Sequence, residues 1–158
     1  MRKQDIINRV IARLTADLEQ LTTAALATHA EATDEENKAE DKYDTRGLEA
    51  SYLAHGQSKA AEEAALALAQ FQALPLRQFS ADEPVSIGAF VVLSGRERSH
   101  YFIGPRAGGT AIEHDGRTVL VITPSSPLGR QLMGRRQGET LQLEQGGKRS
   151  ACLIETVG

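Results

Sequence analysis

Two periodicities divide this chain. Ile7, Ile11, Leu14, Leu18, Leu21 and Ala25 recur at alternating steps of four and three, the spacing of a coiled-coil seam. That pattern predicts a helix from about Gln4 to Ala30. Ala60, Ala64, Ala67, Phe71 and Leu74 repeat the same steps and predict a second helix from about Thr45 to Leu74. Alanine is the best helix former, and an alanine seam lets two helix axes approach closely. Two such helices joined by a polar segment make an antiparallel hairpin over 1–74. Arms of that length reach roughly 40–45 Å at about 1.5 Å per residue. A pair so long cannot be a compact domain and must be anchored at its base.

The pattern changes between Pro75 and Pro84, read here as a linker over 75–84. Val85, Ile87, Ala89, Val91 and Leu93 then alternate with more polar or smaller residues, as in a half-buried strand. Further strands are predicted at Ser99–Ile103, Thr110–Glu113, Arg117–Thr123, Thr140–Glu144 and Arg149–Val157. Asp115-Gly116 and Gly146-Gly147 are hairpin turn signals between neighbours. One short helix carries complete punctuation. Ser126 is its N-cap, Pro127 its first residue and Gly134 its stop. The expectation is an α+β chain: a helical hairpin, then an antiparallel sheet domain over 85–158 with one short helix.

Charge sharpens this division. Residues 1–74 carry 8 basic and 13 acidic side chains, whereas residues 75–158 carry 10 and 8. Seven of the acids, Glu31, Asp34, Glu35, Glu36, Glu40, Asp41 and Asp44, fall within fourteen positions between the two helical patterns. Carboxylates concentrated at the turn of a hairpin can deliver negative charge, or a Mg²⁺ ion held through oxygen, to a partner. Glu36 and Glu40 are four apart and share a face if the helix continues. An ordinary solvated turn is the competing reading.

Other groups point less far. The lone Cys152 excludes an internal disulfide framework and sits in an apolar run, as a buried structural thiol does. His29, His55, His100 and His114 lack metal-ligand spacing. Gly104-Pro105-Arg106-Ala107-Gly108-Gly109 reads as a turn rather than a phosphate cradle. No stretch approaches the ~20 apolar residues of a membrane span, and no signal peptide is visible, so a cytoplasmic protein is expected. Arg130, Arg135 and Arg136 surround the short helix, with Lys148 and Arg149 in the last hairpin. Such a basic group suits an acidic protein or nucleic acid, or is ordinary surface.

The segment Val121-Ile122-Thr123-Pro124-Ser125-Ser126-Pro127-Leu128-Gly129-Arg130-Gln131-Leu132-Met133-Gly134-Arg135-Arg136-Gln137-Gly138-Glu139 resembles the C-terminal signature of the GreA/GreB transcript-cleavage and elongation factors of bacterial RNA polymerase. It has the Ser-Pro, the Leu, then Gly-basic and Gly-acidic pairs. Gln131 departs, standing where the family usually has a small residue. The resemblance spans essentially the whole chain and is strongest in 85–158. It implies an FKBP-like C-terminal domain docked at the rim of the polymerase's secondary channel, with Ser126, Pro127, Leu128, Arg130, Arg135 and Arg136 as partner-binding residues. It also implies that the hairpin reaches inward and that its acidic tip helps hold a second Mg²⁺, so the polymerase cuts its own backtracked RNA. The protein would then be no enzyme alone and would bind no cofactor alone, sharing Mg²⁺ with the polymerase active site.

The tip departs from the family motif Asp-Leu-x-Glu-Asn-x-Glu-Tyr. Aligned on Tyr43, Glu36 replaces the leading Asp, Ala39 falls on the first Glu, Glu40 on the Asn and Lys42 on the second Glu. A shift of one residue puts Glu40 on the first Glu and Asp41 on the Asn, but places Asn37 on the leading Asp. Glu36, Glu40 and Asp41 are therefore the carried-over metal and catalysis-assisting candidates. The usual Thr-x-x-Gly opening of the first helix is absent. The implied partners are RNA polymerase, nascent RNA reached indirectly and a weak DNA contact, with no membrane and a monomeric state. Three other readings stand beside cleavage. One is a channel-occupying modulator that does not stimulate cleavage. The others are a coiled-coil adaptor and an FKBP-type prolyl isomerase, for which Phe79, Phe90, Tyr101 and Phe102 are the only aromatics at hand.

Overall fold

The computed structural model describes residues 2–33 and 46–158. Two compact units emerge, one of residues 12–69 and one that joins residues 1–11 to 70–158.

The first unit is made from two helices, α1 (Lys3–Thr33) and α2 (Arg46–Gln72). Every seam position read from the sequence is buried or half-buried, from Ile7 to Ala25 on α1 and from Ala60 to Leu74 on α2. Leu14, Ala25, Ala54 and Ala67 are the most deeply covered within 12–69. Leu26, Leu53 and Leu66 are exposed.

The second unit is built on a six-stranded sheet, ordered β3-β4-β2-β1-β6-β5. Its strands are β1 (Phe90–Ser94), β2 (Arg98–Ile103), β3 (Ala111–His114), β4 (Arg117–Ile122), β5 (Thr140–Gln145) and β6 (Lys148–Val157). The short helix α3 (Pro127–Leu132) stands between β4 and β5. All pairings are antiparallel except that of β2 with β4, which run parallel with His100 opposite Val119 and Ile103 opposite Ile122. The β3 hairpin intervenes between β2 and β4, so the chain enters β4 in the direction of β2. Turn residues alone could not reveal that order.

Alternation sends side chains to both faces of the sheet. One face carries Val91, Leu93, Ile103, Ile122, Leu141, Cys152 and Ile154, closed over by Leu132, with Leu128 and Met133 packed against the cluster. On the other, Phe102 meets Phe71 at the C-terminal end of α2, with ring centroids 6.1 Å apart. Gly104 leaves the space that Phe71 uses, because a Cβ there would lie 2.7 Å from its ring. Ile6, Ile7 and Val10 of α1 are buried in this same unit.

The segment expected to be a linker is partly core. Phe79 is buried in the main cluster, capped on its ring by Lys3 at 4.5 Å and by Arg77 at 4.8 Å. The strand expected from Val85 starts only at Phe90. Gly88 takes φ +90° and donates to the Ile103 carbonyl at 2.7 Å, while Ile87 is turned out to solvent. The alternation at 85–89 thus comes from a turn that buries Val85 and Ala89, not from a ladder.

Candidate partner-binding surface

The signature segment folds as its residue types require. Ser126 accepts a hydrogen bond from the Gly129 amide at 3.0 Å and donates to the Thr123 carbonyl at 2.8 Å. It therefore caps α3 and fastens it to the end of β4 at once. Pro127 at the first helical position gives up an amide that has no intrahelical partner there. Gly129 is required by contact: an added Cβ would lie 1.8 Å from the Thr123 carbonyl oxygen. Leu132 is fully buried in the core and Leu128 partly so. These two leucines fix which side of the helix remains outside.

After α3 the chain is tied to two other elements by main-chain bonds. Gly134, at φ +81°, donates to the Val85 carbonyl at 2.9 Å, and Val85 donates to the Arg135 carbonyl at 2.7 Å. Gly138, at φ +89°, donates to the Ile154 carbonyl at 2.9 Å, and Ile154 returns a bond to Glu139 at 2.9 Å. A left-handed backbone suits glycine at both places. The Gly-basic and Gly-acidic pairs are thus two anchoring turns.

The three arginines are oriented rather than loose. Arg130 Nε donates to the Ser125 carbonyl at 3.0 Å. Arg135 Nε donates to the Gln131 carbonyl at 2.8 Å, and its Nη1 to the Thr140 carbonyl at 3.3 Å. Arg136 Nε donates to the Asp82 carbonyl at 2.9 Å, while its amide donates to the Glu139 carboxylate. Only Arg135 faces a carboxylate, Glu139, at 3.7 Å. Neutral carbonyls hold the guanidinium groups in place without cancelling their charge. Such groups suit carboxylate recognition on a partner.

A shallow groove of about 510 Å³ borders the start of this segment, lined by Ile87, Pro105, Arg106, Thr123, Pro124 and Ser125. Sequence reasoning did not place Ile87 or Arg106 here. The signal was the exposed Ile87 within an alternation that otherwise points inward. Lys148 and Arg149 are exposed in the β5–β6 hairpin. Ser125 Oγ is 3.2 Å from Thr123 Oγ1 and Ser126 is used as a cap, so both serines are accounted for by local structure.

Glu36, Glu40 and Asp41 lie outside the described residues. Among the described residues no group of three or more histidine, cysteine or acidic side chains is brought together. No described helix is long and apolar enough to cross a membrane.

Comparison with known proteins gives similar folds and little sequence identity. No protein-family model matches the chain, and no curated protein matches it. Among solved structures, one described as the transcription factor Gfh1 is 22% identical, covering 94% of this chain and 93% of that one at a TM-score of 0.42. GreA factor homolog 1 (Gfh1) of Thermus thermophilus is 18% identical over 94% of each chain, at a TM-score of 0.38. The elongation factor GreA/GreB from Nitrosomonas europaea is 17% identical, covering 70% of this chain and 91% of that one at a TM-score of 0.37.

Proposed function

We propose that this chain is a GreA/GreB-type transcription elongation factor that binds bacterial RNA polymerase through the surface around α3. The observation that carries the reading is the segment Val121–Glu139. Its Ser-Pro, Leu, Gly-basic and Gly-acidic elements each meet a local structural need, and the arginines between them are held outward. The helical unit agrees with a factor that carries an acidic segment between two long helices. In this reading the protein enters the polymerase's secondary channel and has no active site of its own.

Glu36, Glu40 and Asp41 supply carboxylate oxygens, the donor type that suits a hard cation such as Mg²⁺. A second Mg²⁺ shared with the polymerase would activate water for phosphodiester hydrolysis. The residues' own part is to add negative charge and ligand oxygens. A second reading is a channel-occupying modulator without cleavage, favoured by Ala39 and Lys42, or Asn37, at positions that are acidic in the family motif.

The test has two readouts. Purified protein should co-migrate with bacterial core polymerase in gel filtration, and a stalled, backtracked complex should then be assayed for RNA cleavage. Binding with cleavage supports the first reading, and binding without it over a range of Mg²⁺ supports the second. No association with polymerase removes both.

A further inference from the structure

A cavity of about 580 Å³ opens in the globular unit where α1 begins, β4 begins and β6 ends. Arg117 starts β4 whereas α3 follows its other end, so this cavity is not the surface described above. Its charged side chains are Arg2, Lys3 and Arg117, and no carboxylate side chain lines it. Arg2 and Arg117 are exposed and make no ion pair among the described residues. Lys3 is only 7% exposed. Its ammonium donates to the Arg77 carbonyl and lies over the Phe79 ring, partners that carry no formal negative charge. Three cations around one cavity without a counter-charge repel one another, and burial makes that costlier. An anion in the cavity would remove the cost.

The size and remaining walls narrow the anion's class. Small-molecule sites run from about 300 to 1,000 Å³, so this volume exceeds what a lone ion needs. Leu76, 49% exposed, and the half-buried Phe90 supply apolar surface. Gln4, Gln78 and Thr156 add hydrogen-bonding groups. Two arginine forks match phosphate oxygens.

We propose that this cavity binds a small phosphorylated ligand with a planar apolar part, its phosphate held by Arg2, Lys3 and Arg117 and its ring against Phe90 and Leu76. The probes are ATP and inorganic pyrophosphate, titrated calorimetrically into the full chain at 150 mM salt. ATP should bind at least tenfold more tightly than pyrophosphate. The double variant Arg2→Gln, Arg117→Gln should weaken ATP binding at least tenfold. Both substitutions are at exposed positions, and an unchanged thermal transition will verify that the variant folds. A control that removes two exposed charges elsewhere, Arg9→Gln with Arg96→Gln, should leave ATP affinity within twofold. Absence of ATP binding at millimolar concentration overturns the proposal. So does an equal loss in the control, which would mean general attraction of anions. Pyrophosphate binding as tightly as ATP would overturn the assigned ligand class.

Discussion

Lys3 shows how one buried charge shapes the whole stability profile. Burial, helped by repulsion from Arg77, lowers its pKa from 10.5 to about 8. Between those values the unfolded chain keeps the proton and the folded chain releases it, so stability rises with pH through that window. Below pH 8 both states are charged and the full penalty stands. Denaturant unfolding at pH 7 and pH 10 should therefore show a gain in the wild type that Lys3→Met lacks. The difference should be on the order of 2 kcal/mol, and equal profiles for the two proteins would contradict it. His100 works at the other end. Burial, then Arg117 and Arg98, lower its pKa against an opposing Glu155, so its contribution is lost as pH falls below 6.5. Glycines make a sharper contrast. Gly129→Ala forces a Cβ into the Thr123 carbonyl and should cost about 3 kcal/mol, as overpacking does. Gly134→Ala meets open space at φ +81° and should cost only about 1 kcal/mol. Urea midpoints that reverse this order would refute the contact argument.

At the scale of elements, the short helix shows why some of the fold could be read from sequence. Ser126, Pro127 and Gly134 act locally, so their residue types mark the ends of α3 without knowledge of the rest. The heptad steps of α1 and α2 and the alternation of β4 and β6 are local in the same sense. What escaped depends on distant partners. Val85–Ala89 alternates like a strand, yet its bonds go to Arg135, Gly134 and Ile103. The parallel pairing of β2 with β4 follows from where the β3 hairpin inserts, and Lys3 is buried because Arg77 and Phe79 reach it. The candidate site divides similarly: the signature leucines and arginines were legible, whereas Ile87 and Arg106 joined them only through the fold. Two predictions follow from the packing of α3. Leu132→Ala should destabilise the protein by about 2–5 kcal/mol, and Leu128→Ala, at a half-buried position, by less. Arg135→Gln with Arg136→Gln should leave the urea midpoint nearly unchanged, since the lost bonds go to carbonyls in exposed segments. The same pair should weaken polymerase association, and unchanged affinity at physiological salt would remove these arginines from docking.

For the whole molecule, the proposed activity divides between regions of different character. The globular unit offers oriented cations on a rigid sheet-backed helix, and the acidic segment offers carboxylates without counter-charges beyond Lys38 and Lys42. If the factor stimulates cleavage, binding and cleavage should separate genetically. Glu40→Ala with Asp41→Ala removes two negative charges from a segment with almost no large apolar residues, so stability should shift by no more than about 0.5 kcal/mol. Polymerase affinity should persist, because the arginines around α3 are untouched. Cleavage should fall steeply, as the carboxylates that help hold the shared Mg²⁺ are gone. Raising Mg²⁺ should restore part of the rate if weak ion capture is the defect, and the Arg135→Gln, Arg136→Gln protein should instead be rescued by raising its own concentration. Rescue of both variants by the same treatment would argue against a division of labour. A wild-type protein that binds polymerase but leaves backtracked RNA uncut would shift the weight to Ala39 and Lys42, and acidic replacements there should then confer cleavage.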